Sequence, residues 1–355
     1  MIAFIFSLDY EIHGDGSGDF GDIVLEPTEK MLSIFERYGA KLSIMVEVAE
    51  ILALKKYSQF KPVVNKVEGQ LKQALARNHD IQLHLHPQWF NAVYEREHWF
   101  LRNEHYSLVN LPKETISDYI TIGKEYLEAI GTQVKQDYKC IAFRAGHWLI
   151  QPSRNVVDSL EEAGFLYDTS IFKWAKFQKV GFSSDFTEAY SHFSPWVVDP
   201  DDITKKADRT GLYEIPIFTR KVFFPKMLTH KRIALRKRAV LAKCKPVDSK
   251  IRHFDFVSLI REARSGISQL GFFYPKKFDF NQMTFKEMKD YTDYAISKLS
   301  DSEKILPIVL IGHSKDFIDD GSLQKLFEYI NSRYKDKVKY ITFSELGRIG
   351  PKNFL

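Results

Sequence analysis

Residues 2–11, Ile-Ala-Phe-Ile-Phe-Ser-Leu-Asp-Tyr-Glu, are apolar almost without interruption until they end in acids. A strand with one face in water alternates apolar and polar residues. One that is apolar throughout must be covered on both faces, as parallel strands are when helices flank their sheet. The same signature returns near the other end of the chain, in Leu306-Pro-Ile-Val-Leu-Ile-Gly-His313. Between them runs a strand–helix rhythm. A helix over 27–38 is opened by Pro27 and stopped by Gly39, and strand 40–48 follows. A helix near 62–77 then leads to the strand Asp80-Ile-Gln-Leu-His-Leu-His86. Further helices are expected over 113–131, 152–163, 254–265, 284–299 and 321–333, with strands over 138–143, 212–218 and 338–343. This alternation predicts an α/β fold around a mainly parallel sheet, open or closed. At 355 residues the chain is long enough for two domains, or for one barrel with decorated loops. The expected insertions are an aromatic one over about 89–112 and a basic one over about 220–280.

In parallel folds the strand C-termini share one face, and chemistry collects there. The polar residues at these ends are Asp9, Glu11, Glu47, His84, His86, Arg144, His147, Asp168 and His313. His84 and His86 alternate onto one side of their strand before Pro87 ends it. Such a pair is either half of a metal site or two hydrogen-bonded histidines in a polar pocket. One carboxylate and two imidazoles can hold a catalytic zinc, and a second carboxylate can then take a proton from water. Arg144 suits an ion pair that keeps such a base ionised, and His313 suits a proton donor. These parts describe metal-assisted hydrolysis of an amide or ester.

At this point the chain resembles the polysaccharide deacetylase (NodB-homology) superfamily of carbohydrate esterases. Ser7-Leu-Asp-Tyr-Glu11 is similar to its first motif, Asn78-His-Asp-Ile-Gln-Leu-His84 to its second, and Phe143-Arg-Ala-Gly-His-Trp148 to its third. Tyr167-Asp-Thr-Ser170 resembles the stretch that follows, and Leu310-Ile-Gly-His313 the last motif. The resemblance implies a single domain with a distorted (β/α)7-type barrel and metal-dependent deacetylation of N-acetylated sugars. It implies Asp9 as base, Arg144 as its partner and His313 as acid. The metal ligands would be Glu11, His84 and His86, and His147, Trp148 and Asp168 would contact substrate. The family's metal acid would stand at Tyr10 and its second metal histidine at Gln88; Glu11 and His86 take those places here. The expected cofactor is a divalent metal ion, zinc first. The competing expectation, raised by Gln88, is an altered barrel that binds glycans or partners without catalysis.

Two cysteines, Cys140 and Cys244, exclude a cysteine zinc knuckle and argue against a disulfide scaffold. No basic-then-apolar leader stands at residues 1–7 and no apolar run reaches the length of a membrane span, so a cytoplasmic protein is expected. The net charge of +5 is local: twelve Lys/Arg stand between Arg220 and Arg252 against one acid, Asp248. Within this segment Thr229 to Lys243 alternates cationic and apolar clusters, as an amphipathic helix does. It would attract the phosphates of a nucleotide- or polyprenyl-linked sugar, or an anionic membrane surface. Nothing resembles a base-reading motif, so nucleic acid is not an expected partner. Lys315 and Asp316 read as solvated loop residues.

Overall fold

The computed structural model describes residues 1–179, 182–243, 272–299 and 304–354. The helix expected over 254–265 lies outside the described residues.

Seven strands form a ring: β1 (Ile2–Tyr10), β2 (Leu42–Glu47), β3 (Asp80–Leu85), β4 (Ala142–Ala145), β5 (Tyr167–Asp168), β6 (Tyr213–Glu214) and β7 (Leu306–His313). Neighbours from β7 through β1, β2, β3, β4 and β5 to β6 are all parallel. The ring closes where Ile217, just past β6, bridges Val309 in parallel and Phe218 N–H donates to the Val309 carbonyl at 2.9 Å. The parallel sheet that the strand–helix rhythm predicted is closed, and it is the distorted (β/α)7-type barrel that the family resemblance implied. The distortion is plain in strand length, nine residues in β1 against two in β5 and two in β6. All nine residues of β1 and all eight of β7 are buried, as their continuous apolar character required.

The helices follow the expected punctuation. Glu26–Arg37 carries Pro27 in its first turn, and Phe285–Ser297 begins at a capping box in which Thr284 and Glu287 satisfy each other's backbone N–H groups. Packing joins the two ends of the chain: Phe6 of β1 meets Phe35 at 5.1 Å and Phe280 at 5.4 Å between ring centroids, and Phe35 meets Phe327 at 5.0 Å. Each fully buried phenyl contributes about 1.5–3 kcal/mol. The strand expected over 138–143 starts later, at Ala142. The N–H groups of Cys140 and Ile141 go to side-chain oxygens, of Glu128 at 3.1 Å and Gln82 at 2.8 Å, and not to a neighbouring strand.

Both insertions sit at the strand C-terminal end. The first carries a hairpin, Val93–Glu95 with His98–Phe100, held by Trp99 against Phe60 and Trp89. The second leaves the wall as an antiparallel ribbon, Thr219–Phe223 paired with Phe273–Lys277, and carries the expected helix, His230–Lys243. It rejoins where Asp279 bridges Ile311 of β7 in parallel, so its return is spliced into the barrel wall two residues short of His313. Among the described residues no helix is long and apolar enough to cross a membrane.

Candidate active site

Parallel pairing turns sequence distance into adjacency. Asp9 lies opposite His313, Glu47 opposite His84, and His84 opposite Arg144. A cavity of about 420 Å³ opens over these strand ends, lined among others by Asp9, Glu11, His84, His86, His147, Trp148 and His313. Seven of the nine expected site residues therefore share one space.

Arg144 lies beneath it, fully buried. Its Nε donates to the Thr169 carbonyl at 3.0 Å, one terminal nitrogen bonds Asp9 Oδ1, and the other donates to Ser7 Oγ at 2.7 Å. Burial pushes the Asp9 pKa up, but Arg144, His84 and His313 outweigh it and hold Asp9 below the ordinary carboxylate value. Asp9 is held in its ionised form. His313 Nε2 stands 3.4 Å from Asp9 Oδ2, and its Nδ1 lies 3.7 Å from Asp279 Oδ2. Burial disfavours the imidazolium, yet Asp279 and Asp9 raise the His313 pKa above its usual value. An ionised carboxylate and an imidazole that favours its proton thus stand side by side.

The second group faces them. His84 Nδ1–H donates to the Arg144 carbonyl at 3.0 Å, which leaves the Nε2 lone pair for the cavity. That Nε2 is buried without a hydrogen bond, 3.4 Å from Glu11 Oε2. Glu11 Oε2 is also 3.2 Å from His86 Nδ1, while Glu11 Oε1 accepts from Lys315 Nζ at 2.7 Å. Glu47 receives the backbone N–H of His86 at 2.6 Å and stands 2.7 Å from its Nδ1. Burial drives the His86 pKa down to about 3 and the Glu47 pKa up to about 8. Burial also opposes charge on His84, but Asp9 and Glu11 carry its pKa up to about 9. Nε2 of His84 is therefore a place that draws positive charge, a proton or a metal cation. Glu11, Glu47, His84 and His86 bring ligand atoms within 4.8 Å of one another, so the group fits a divalent ion on its own chemistry. His86, and not Gln88, lines the cavity; Gln88 is buried, and among the described residues neither of its amide atoms has a hydrogen-bond partner.

His147 and Trp148 both take left-handed backbone angles, φ 55° and 57°. Such strain costs about 1–3 kcal/mol and persists only where packing imposes it. Here Tyr106 stacks on the His147 ring at 3.9 Å and His86 meets it edge-on at 4.3 Å. Trp148 stands edge-to-face with His313 at 6.2 Å.

Asp168 corrects the expectation of a substrate contact. It is fully buried, does not line the cavity, and bonds the amide (3.1 Å) and hydroxyl (2.8 Å) of Ser170. It faces Glu214 across the β5–β6 register, and burial raises the pKa of both. Lys315 corrects the expectation of a solvated loop residue: it is held against Glu11 and the Ile12 carbonyl. His79 is structural, taking the Leu42 N–H on Nδ1 at 3.0 Å. Sequence reasoning missed Asp279 and Lys277, which the second insertion delivers to the cavity. Lys315 had a signal, its place two residues past a strand-end histidine; Asp279 had none.

No family model matches the chain, and no curated protein matches it. Among solved structures it is similar to a 4-alpha-glucanotransferase from Thermococcus litoralis, at 16% identity and TM-score 0.51; the match covers 99% of this chain but only 40% of that one. A protein described as a polysaccharide deacetylase from Pseudomonas aeruginosa PAO1 matches at 13% identity and TM-score 0.49, over 98% of this chain and 90% of that one. Another so described, from Mycobacterium smegmatis, matches at 14% identity and TM-score 0.46, over 98% and 89%. At 16% identity the likeness to the first of these is one of fold alone.

Proposed function

We propose that the protein is a divergent polysaccharide deacetylase, a hydrolase that removes an acetyl group from an N-acetylated sugar of a glycan or glycan precursor. One observation carries the reading. An ionised carboxylate paired with arginine, a histidine within reach of it, and an unpartnered His84 Nε2 beside Glu11 all face one cavity.

Glu11, His84 and His86 would hold a divalent ion, zinc in this reading. When bound it supplies Lewis acidity, making water a stronger acid and drawing charge from the acetyl carbonyl. The chain's own residues do the rest. Asp9, fixed by Arg144, takes the proton of the attacking water as its oxygen bonds to the carbonyl carbon. His313 gives its Nε2 proton to the nitrogen as the C–N bond breaks, leaving a free amine and acetic acid, which loses its proton to solvent as acetate. With Asp9 Oδ2 3.4 Å from His313 Nε2, the proton gained by the base can return to the acid for the next turnover. Trp148 and His147 wall the site and limit water.

Metal analysis and acetate release test this directly. Purified protein should hold about one divalent ion per chain, as the donor set dictates. His84→Ala should lose it, and Asp9→Asn should keep the ion but release no acetate. Metal-free wild type that ignores added zinc and releases no acetate from any N-acetylated sugar would instead support a barrel that only binds.

A further inference from the structure

Two cations on the cavity make no direct ion pair among the described residues, although Asp279 and Asp9 lie near enough to act on one of them, Lys277, electrostatically. Asp9 is answered by Arg144, Glu11 by Lys315, and Lys276 by Glu287. Lys277 and Arg232 also line the cavity, and among the described residues neither lies within ion-pair distance of a carboxylate. Arg232 spends its terminal nitrogens on neutral atoms, Met227 Sδ at 3.2 Å and Gln282 Oε1 at 3.2 Å. Lys277 Nζ is pinned over the face of Trp148, 3.4 Å from the ring centroid, with Phe172 at 4.7 Å. A desolvated ammonium over aromatic faces is stabilised but not neutralised. Trp148 touches Lys277 with its face and meets His313 edge-on, so the cation stands one indole away from the proton donor.

A neutral sugar would leave both cations without a directly bonded anion. Resting on the deacetylase reading above, we infer that the cavity takes an anionic N-acetylated sugar, with a carboxylate or phosphate seated between Lys277 and Arg232. The topology supports this. Both residues belong to the second insertion, which rejoins the wall beside the end of β7, so the same splice that brings Asp279 to His313 brings Lys277 to the cavity. The insertion would thereby set substrate choice while the barrel strands set the chemistry.

Acetate release from three sugars tests the inference: N-acetylglucosamine, its 1-phosphate, and N-acetylglucosaminuronic acid. Wild type should favour at least one charged sugar over the neutral one by about tenfold or more in kcat/KM, the worth of a charged hydrogen bond. Lys277→Met should bring that ratio towards one, and Lys277→Arg should retain most of it. Which charged sugar is preferred separates carboxylate from phosphate. A wild-type ratio near one, or a ratio unmoved by Lys277→Met, overturns the anionic subsite while leaving deacetylation intact. Should no sugar be turned over, deacetylation falls and the subsite is judged by calorimetry with N-acetylglucosamine 1-phosphate. Asp9→Asn protein should bind it and the Asp9→Asn/Lys277→Met double variant should not; equal affinity in the two, or none in either, overturns it.

Discussion

Arg144→Met is the sharpest perturbation of the site, because it leaves Asp9 buried with its main counter-charge gone. Arg144 is fully buried and touches Asp9, Ser7 and Thr169 at once. Removing one partner of a buried ion pair costs about 3–5 kcal/mol, since the remaining charge keeps its desolvation penalty. At 1.36 kcal/mol per pH unit, that corresponds to raising the Asp9 carboxyl by about two to four units. In wild type the folded Asp9 value is lowered, so its contribution is present above the unfolded value near 4 and is lost as pH falls through the folded one. In Arg144→Met the folded value is raised, so the contribution is present below about 4 and is lost as pH rises. Urea unfolding should therefore show a wider gap between variant and wild type at about pH 8 than at about pH 5. Adding Asp9→Asn to Arg144→Met should recover about 1–3 kcal/mol, because a neutral amide has no charge to strand. A gap under about 1 kcal/mol, or one equal at both pH values, would refute the claim that this pair is a charge-holding device and not simple packing.

Two further outcomes follow from the same geometry. A methyl group at Gly146 would stand 2.7 Å from the Leu85 carbonyl and 2.5 Å from the His86 ring, and the backbone atom cannot yield. Gly146→Ala should therefore cost about 1–3 kcal/mol by overpacking and weaken metal retention by moving His86; unchanged metal content at full stability would contradict it. Glu47, with its pKa raised to about 8 by burial, lends stability below its unfolded value that is lost as pH rises to about 8. In metal-free protein Glu47→Gln should remove this contribution between about pH 4.5 and 8, leaving those of Glu50, Asp168 and Glu214, which burial also raises, and of His86, which has the opposite sign. A difference between wild type and Glu47→Gln that does not change across this range, measured by thermal melting, would count against the assignment.

The barrel was legible where burial on both faces dictates composition. β1 and β7 are apolar from end to end because helices cover them, and Ile2 and Leu306 start together, so Asp9 and His313 finish together. β5 and β6 were less legible, since two residues of ladder leave no period to read. The site divided on a different line. An acid at the end of a parallel strand looks the same in sequence whether it faces a cavity or a neighbour. Asp9 and Asp168 both end apolar strands and both are buried. What separates them is the residue that the register sets beside each. Asp9 has His313 opposite and Arg144 within bonding distance, so it stays charged and open to the cavity. Asp168 has Glu214 opposite and Ser170 within bonding distance, so its charge is suppressed and its hydrogen bonds are spent on the backbone turn. The same argument explains Lys315, which reads as a surface lysine until Glu11, from the opposite end of the chain, is placed beneath it. In this fold a strand-end residue stays charged and open to the cavity, or is neutralised and spent on the backbone, according to the partner that parallel pairing assigns it.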